Sequence, residues 1–249
     1  MKKYISVFGL FAKSSFIKIL LIMAAMAGAQ FYFFGAELNK YIDIYEYDFS
    51  IPSIETLIDR TRIAWIFGIA FVLVTLLLCL PGTSFSSKTG YTLNRLSISE
   101  HSVFFCQAAY NLFVYLILWV AETAVCFGLC LYYTASVPAE ILGNQTVFLA
   151  FYRNELLHAL LPLSEVMVWV RNGFLLIAIT IASAEYPYKQ RRKKVGASAI
   201  AMTLFTLIFF RISIADSFNT ILVIVVSIIN VIEMLYNFFS EDNGYESEN

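Results

Sequence analysis

Five charged residues lie within or beside the longest apolar segments of the chain, where ionisable side chains most often have a function. They are Glu122, Glu165, Arg171, Arg211 and Asp216. A charge in an apolar segment usually pairs with another charge or lines a water-filled cavity. The pattern predicts a polar vestibule or a gate held by ion pairs, and a pair between Arg171 and Glu122 is favoured because Glu165 and Arg171 do not share a helix face. Snorkelling and structural bridging between helices are the alternative.

The cysteines and histidines form no catalytic or metal-binding pattern. Cys126 and Cys130 are four residues apart on one helix face, but His101 and His158 lie in predicted loops at opposite faces. The segment Gly82–Thr89 resembles a phosphate-binding loop, yet a serine replaces its second glycine. The sequence therefore predicts no catalytic residue, no metal site and no cofactor on this chain.

The composition is that of an integral membrane protein. Of 249 residues, 59% are hydrophobic and 14% are charged, and the mean hydropathy is +0.73. A soluble domain is roughly 45–50% apolar and about 25% charged. The net charge of −1 provides no field that would attract nucleic acid.

The apolar residues form long runs, and a helix that crosses a bilayer needs about 20 of them. We predict an all-α, polytopic fold with a single transmembrane domain over residues 1–239 and an acidic cytoplasmic tail over residues 240–249. The six predicted spans cover about 16–35, 63–81, 103–133, 162–184, 195–211 and 219–239.

The basic residues predict the orientation of these spans. Eleven lysines and arginines fall in the segments on the side of the N-terminus, and four fall in the opposite loops. Because cytoplasmic loops are enriched in basic residues, both termini are expected in the cytoplasm. The five charged residues named above then lie toward the outside.

The first fourteen residues have the periodicity of an amphipathic helix. Tyr4, Val7, Phe8 and Phe11 recur at helical spacing, and the lysines fall on other faces. This pattern favours a helix that lies in the cytoplasmic interface of the membrane.

The segment between the second and third spans carries a resemblance to a known family. Gly90–Glu100 reads GYTLNRLSISE, in which Ser99 and Glu100 are suited to cap the third span. This segment resembles the coupling-helix region of ABC-2 type transporter permeases, where a similar tyrosine–leucine–arginine–leucine phrase precedes the third span. The second half, including FYRNELLHALLPLSEVMVWVRNGFLL and YPYKQRRKK, is similar to permeases of low-GC Gram-positive bacteria that are encoded beside separate ATPases.

The resemblance implies a type V exporter-like fold in the bacterial cell membrane and a transport subunit rather than an enzyme. It implies two partners, an ABC ATPase subunit that binds ATP and Mg²⁺ and a second permease chain, and export of a peptide, lipid or drug-like substrate. The residues implied to contact the ATPase are Tyr91, Leu93, Arg95, Leu96, Ile98 and Glu100.

One departure and two alternatives accompany this interpretation. Family members often carry re-entrant outer helices between the last two spans, where this chain has only the short turn Ile212–Ser217. The long outer segment Ala135–Leu161 is a candidate to replace them. The alternatives are a substrate-binding membrane component of another transporter class and an intramembrane enzyme, which would need paired glutamates and histidines within its spans.

Overall fold

The computed structural model of the chain describes residues 2–45, 51–81, 99–138, 142–143, 145–163, 165–192, 194, 196–210 and 217–246. Every regular element in these ranges is an α-helix. In chain order they are α1 (Lys2–Tyr45), α2 (Ile54–Arg60), α3 (Ile63–Cys79), α4 (Glu100–Ser136), α5 (Thr146–Arg153), α6 (Glu155–Leu160), α7 (Val166–Arg191), α8 (Ser198–Phe209) and α9 (Ser217–Glu246).

Four of these helices, α1, α4, α7 and α9, are long and apolar enough to cross a membrane. The consecutive helices α2 and α3 are bent by 53° and would together make a fifth span. A helical membrane protein, predicted from composition, is therefore confirmed. The count of six is not, because α8 has only 12 residues, or ~18 Å at ~1.5 Å per residue. This length is shorter than the ~30 Å hydrocarbon core of a bilayer.

The first helix differs from the predicted arrangement of an interfacial helix followed by a span. Residues 2–14 are helical, but they continue into the apolar segment as part of the 44-residue α1. Val7 and Phe11 are fully buried, and the ring centroids of Phe8 and Phe11 lie 5.4 and 6.3 Å from that of Tyr110 in α4. The apolar face of the N-terminal segment therefore packs against another helix of the same protein.

The described residues divide into two compact units. Unit 1 is drawn from Met1–Ile17, Thr75–Tyr115 and Met167–Asn249, and unit 2 from Lys18–Val74 and Leu116–Val166. Both α1 and α4 contribute their first part to unit 1 and their second part to unit 2.

Unit 2 contains the short helices α2, α5 and α6, which the predicted spans do not include. Asn154, between α5 and α6, accepts hydrogen bonds from the backbone N–H groups of Leu156 and Leu157 at 3.0 and 3.2 Å. Its amide nitrogen donates to Asp59 of α2 at 3.2 Å. Trp119 of α4 donates to the carbonyl of Leu160 at 2.9 Å. The described part of Ala135–Leu161, the segment predicted to replace the family's re-entrant helices, thus contains α5 and α6, and contacts α2 and α4.

The bend between α2 and α3 is made by two residues. Thr61 ends α2, and its hydroxyl donates to the carbonyl of Leu57 at 2.7 Å. Arg62 follows with φ of 54°. A left-handed conformation is costly for a residue that has a Cβ, so the turn carries local backbone strain.

Candidate functional site

Glu122 is a fully buried carboxylate near the middle of α4. The amide nitrogen of Gln30 in α1 donates to both of its oxygens, at 2.9 and 3.0 Å. One turn further along α4, the thiol of Cys126 lies 3.9 Å from Oε1 of Glu122. The carboxylate is therefore the centre of a small polar cluster inside unit 2, and Gln30 is also fully buried.

Close packing of α1 and α4 brings this cluster together. A Cβ added at Gly128 would lie 2.8 Å from the ring of Phe31, and one at Gly35 would lie 3.5 Å from the hydroxyl of Tyr132. The absence of a side chain at Gly128 lets the ring of Phe31 approach the backbone of α4, whereas a Cβ at Gly35 would make only an ordinary contact with Tyr132. Successive residues of α1 contact successive residues of α4 in the same order, so the two helices run parallel in unit 2.

Arg171 lies in unit 1, near the start of α7, and is 2% exposed. Its guanidinium donates to the side-chain oxygen of Asn172 at 3.2 Å and to the backbone carbonyl of Phe210 at 3.3 Å. Phe210 is the C-cap residue of α8. The guanidinium therefore lies at the negative end of the α8 dipole, where a cation is favourable.

Glu185 occupies the other end of α8. This residue, in the C-terminal part of α7, is 2% exposed and accepts a hydrogen bond from the hydroxyl of Ser198, the first residue of α8. It also forms an ion pair of 2.6 Å with Lys189, one turn away. The N-cap residue of α8, Ala197, provides no side-chain cap. Two oppositely charged side chains of α7 thus bracket α8 and match its dipole.

The predicted outer cluster lies only partly within the described residues. Glu165 lies directly before α7 and is half-buried, whereas Arg211 and Asp216 fall outside the described residues. The structure places Arg171 in unit 1 and Glu122 in unit 2. The pairing of these two residues, and the vestibule or gate, stay predictions.

The predicted ATPase-facing segment lies almost entirely outside the described residues. Only Glu100 among its six named positions is described, and it begins α4 as the sequence predicted. The hydroxyl of Ser99 accepts from the backbone N–H of Ser102 at 3.4 Å, as expected of a cap. The positions outside the description are Tyr91, Leu93, Arg95, Leu96 and Ile98.

An aromatic cluster joins the first turns of α4 to the last turns of α7 and to α9. The ring of Phe238 lies 4.3 Å from that of Phe104, 4.7 Å from that of Tyr188 and 4.8 Å from that of His101, between centroids. Phe104, Tyr188 and Phe238 are each 2% exposed. We call these four residues the aromatic junction.

Charged groups reinforce the aromatic junction. Arg192, directly after α7, places its Nε 3.5 Å from a carboxylate oxygen of Glu100, and its guanidinium lies 4.5 Å above the ring of Tyr188. The C-terminal end of α3 is near the same helices, because the side-chain amide of Gln107 donates to the carbonyl of Leu78 at 3.5 Å. The segment that links α3 to α4 therefore begins and ends on the same part of unit 1.

Sequence reasoning missed Glu185 and Gln30. The predicted fourth span ended one residue before Glu185, although a glutamate four residues before Lys189 is the spacing of an intrahelical ion pair. Gln30 carries no charge, and no spacing links it to a residue 92 positions away.

No group of three metal-ligating side chains was found among the described residues. Comparison with family models, curated proteins and solved structures yields no match.

Proposed function

We propose that the chain is the membrane permease subunit of an ATP-binding cassette transporter, driven by a separate ATPase subunit. In this proposal the ATPase contacts the segment Tyr91–Glu100, and two permease chains form the path of a peptide, lipid or drug-like substrate. The observation that carries the proposal is the aromatic junction, at which α4, α7 and α9 are packed into one body beside the end of that segment.

The charge distribution supports the orientation. Lys189 and Arg191 lie in the last turn of α7, and Arg192 follows directly and contacts the aromatic junction. This end of unit 1 therefore corresponds to the side that carries eleven of the basic residues. By the positive-inside rule it faces the cytoplasm, where an ATPase would bind. The proposal also includes cytoplasmic N- and C-termini. It includes six crossings of the bacterial cell membrane, of which α8 would be the fifth and the shortest.

The aromatic junction also supplies a physical route for coupling. Closure of the ATPase on ATP would displace the segment before Glu100, and the ion pair between Glu100 and Arg192 connects the start of α4 to the end of α7. Packed interfaces shift as units between discrete arrangements. The three helices are therefore expected to move together, and the outer charged residues, including Glu165 and Arg171, would gate or brace the external end.

Co-purification tests the proposal. The full chain is tagged, expressed with candidate ATPases and purified in mild detergent, and the double variant Arg95→Glu, Leu96→Asp is compared with the wild type. We expect the variant to insert in the membrane normally but to lose the ATPase and transport, because truncating a buried charge-pair partner costs about 2–5 kcal/mol.

The matched control is Arg153→Glu, which makes the charge change of Arg95→Glu on an exposed residue of α5. This variant should retain the ATPase at wild-type yield. A double variant at positions 95 and 96 that also retains it would overturn the assignment of the segment, and with it most of the case for a permease.

A further inference from the structure

The hydrogen bonds around Glu122 are incomplete in a specific way. Its two oxygens share the amide nitrogen of Gln30 as their strong donor, and Oε1 also accepts from the weakly donating thiol of Cys126 at 3.9 Å. The amide oxygen of Gln30 is itself buried and has no hydrogen-bond donor among the described residues. Three acceptor oxygens therefore meet one neutral amide donor and one weakly donating thiol, and the missing group is a second strong donor.

No described cation of unit 2 contacts this carboxylate. From α1 the polar group that faces Glu122 is Gln30, and from α4 it is the thiol of Cys126, which is a weak donor. A buried ionised carboxylate needs a counter-charge or several strong donors, and a single side-chain amide provides neither. A carboxyl group that carries a proton needs no counter-charge.

We propose that Glu122 is a proton-binding site that is occupied while α1 and α4 are packed as described, with the Gln30 amide free to adopt the rotamer that suits the protonated carboxyl group. A proton from water binds to one carboxylate oxygen, and no other bond is made or broken. The resulting O–H is the missing donor: after rotation of the Gln30 amide about its terminal torsion, the amide oxygen accepts from the carboxyl O–H while the amide nitrogen donates to the other carboxyl oxygen.

The consequence is a link between proton occupancy and the packing of α1 on α4 in unit 2. Release of the proton leaves a buried charge beside one amide, so the charged state favours any rearrangement that admits water or a cation. This link does not depend on the identity of an ATPase, and it would exist in any membrane protein with the same cluster.

Infrared spectroscopy of the full chain in a detergent without ester groups tests the proposal. A protonated carboxyl group has a carbonyl stretching band that ionised carboxylates lack, and this band shifts in heavy water. We expect the wild type to show the band at neutral pH, Glu122→Gln to lose it, and Glu165→Gln, a half-buried carboxylate in the same unit, to retain it. Gln30→Leu should keep the band but move it to higher frequency, because a hydrogen bond is lost.

Two outcomes overturn the proposal. A wild type without the band at neutral pH has an ionised Glu122, as the predicted pair with Arg171 would require. A band that persists in Glu122→Gln belongs to another residue. If Glu122→Gln does not fold, the band in Gln30→Leu still decides the assignment, since only a carboxyl group that contacts Gln30 would change frequency.

Discussion

The placement of Arg171 and Glu185 at the two ends of α8 leads to a quantitative prediction for the hydrogen bond between Ser198 and Glu185. Ser198→Ala removes the hydroxyl that donates to the buried carboxylate. Glu185→Gln keeps an acceptor of the same shape but removes its charge. If the carboxylate holds the first turn of α8, Ser198→Ala should cost less stability when residue 185 is already glutamine.

The magnitude follows from the kind of hydrogen bond. A bond to a charged group contributes ~1.5–3 kcal/mol, and a neutral one about 0.5–1.5 kcal/mol. The expected coupling between the two substitutions is therefore about 1 kcal/mol. Glu185→Gln alone should cost more than this coupling, because it also breaks the ion pair with Lys189 and removes a negative charge from the start of α8, worth about 0.3–1 kcal/mol.

Thermal unfolding in detergent, followed by tryptophan fluorescence, measures these effects. For a chain of this size each 1 kcal/mol shifts the melting temperature by roughly 2–4 °C, so Ser198→Ala should lower it by roughly 3–12 °C. Thr206→Val is the control, since the Thr206 hydroxyl donates only to the carbonyl of Met202 within α8. Strictly additive effects of the two substitutions, with no coupling, would refute the bracketing of α8 by the charges of α7.

Three further substitutions probe the rest of the fold by the same melting assay. Asn154→Ala should lower stability by ~1 kcal/mol because it removes the cap of α6, whereas Asn154→Ser keeps a capping oxygen; equal losses would contradict the cap. Phe238→Ala should cost ~3–5 kcal/mol through the cavity left in the aromatic junction, and the half-exposed Phe239→Ala far less, so similar values would count against the junction. Arg62→Gly should raise stability by ~1 kcal/mol by relieving its left-handed backbone, while Arg60→Gly within α2 lowers it; a loss at both positions would show that the bend is unstrained.

Apolar length was sufficient to locate the long helices. Residues 103–133 and 219–239 fall within α4 and α9, because a helix in lipid satisfies its own backbone and needs no partner to be recognised. The bend at Arg62 could not be predicted in the same way. No glycine or proline marks it, and its conformation depends on the packing of α2.

Within the candidate sites, only the charged residues could be predicted from the sequence. Glu122 and Arg171 stood out because a charge in an apolar segment is rare. Their described contacts are the neutral amide of Gln30 and the carbonyl of Phe210. These contacts could not be predicted, because neutral amides and backbone carbonyls form no recognisable sequence pattern. Glu185 was missed because it lies next to a basic segment, where a carboxylate resembles an ordinary surface residue.

The shortness of α8 has a consequence for how the protein is made. A nascent helix of 12 residues offers too little apolar length to partition into the bilayer alone. Within the part of the chain that the structure describes, the charges that complement its two ends belong to the preceding helix, at Arg171 and Glu185. It follows that α7 should remain beside the translocon until α8 has emerged from the ribosome, and that the two helices enter the lipid as one hairpin.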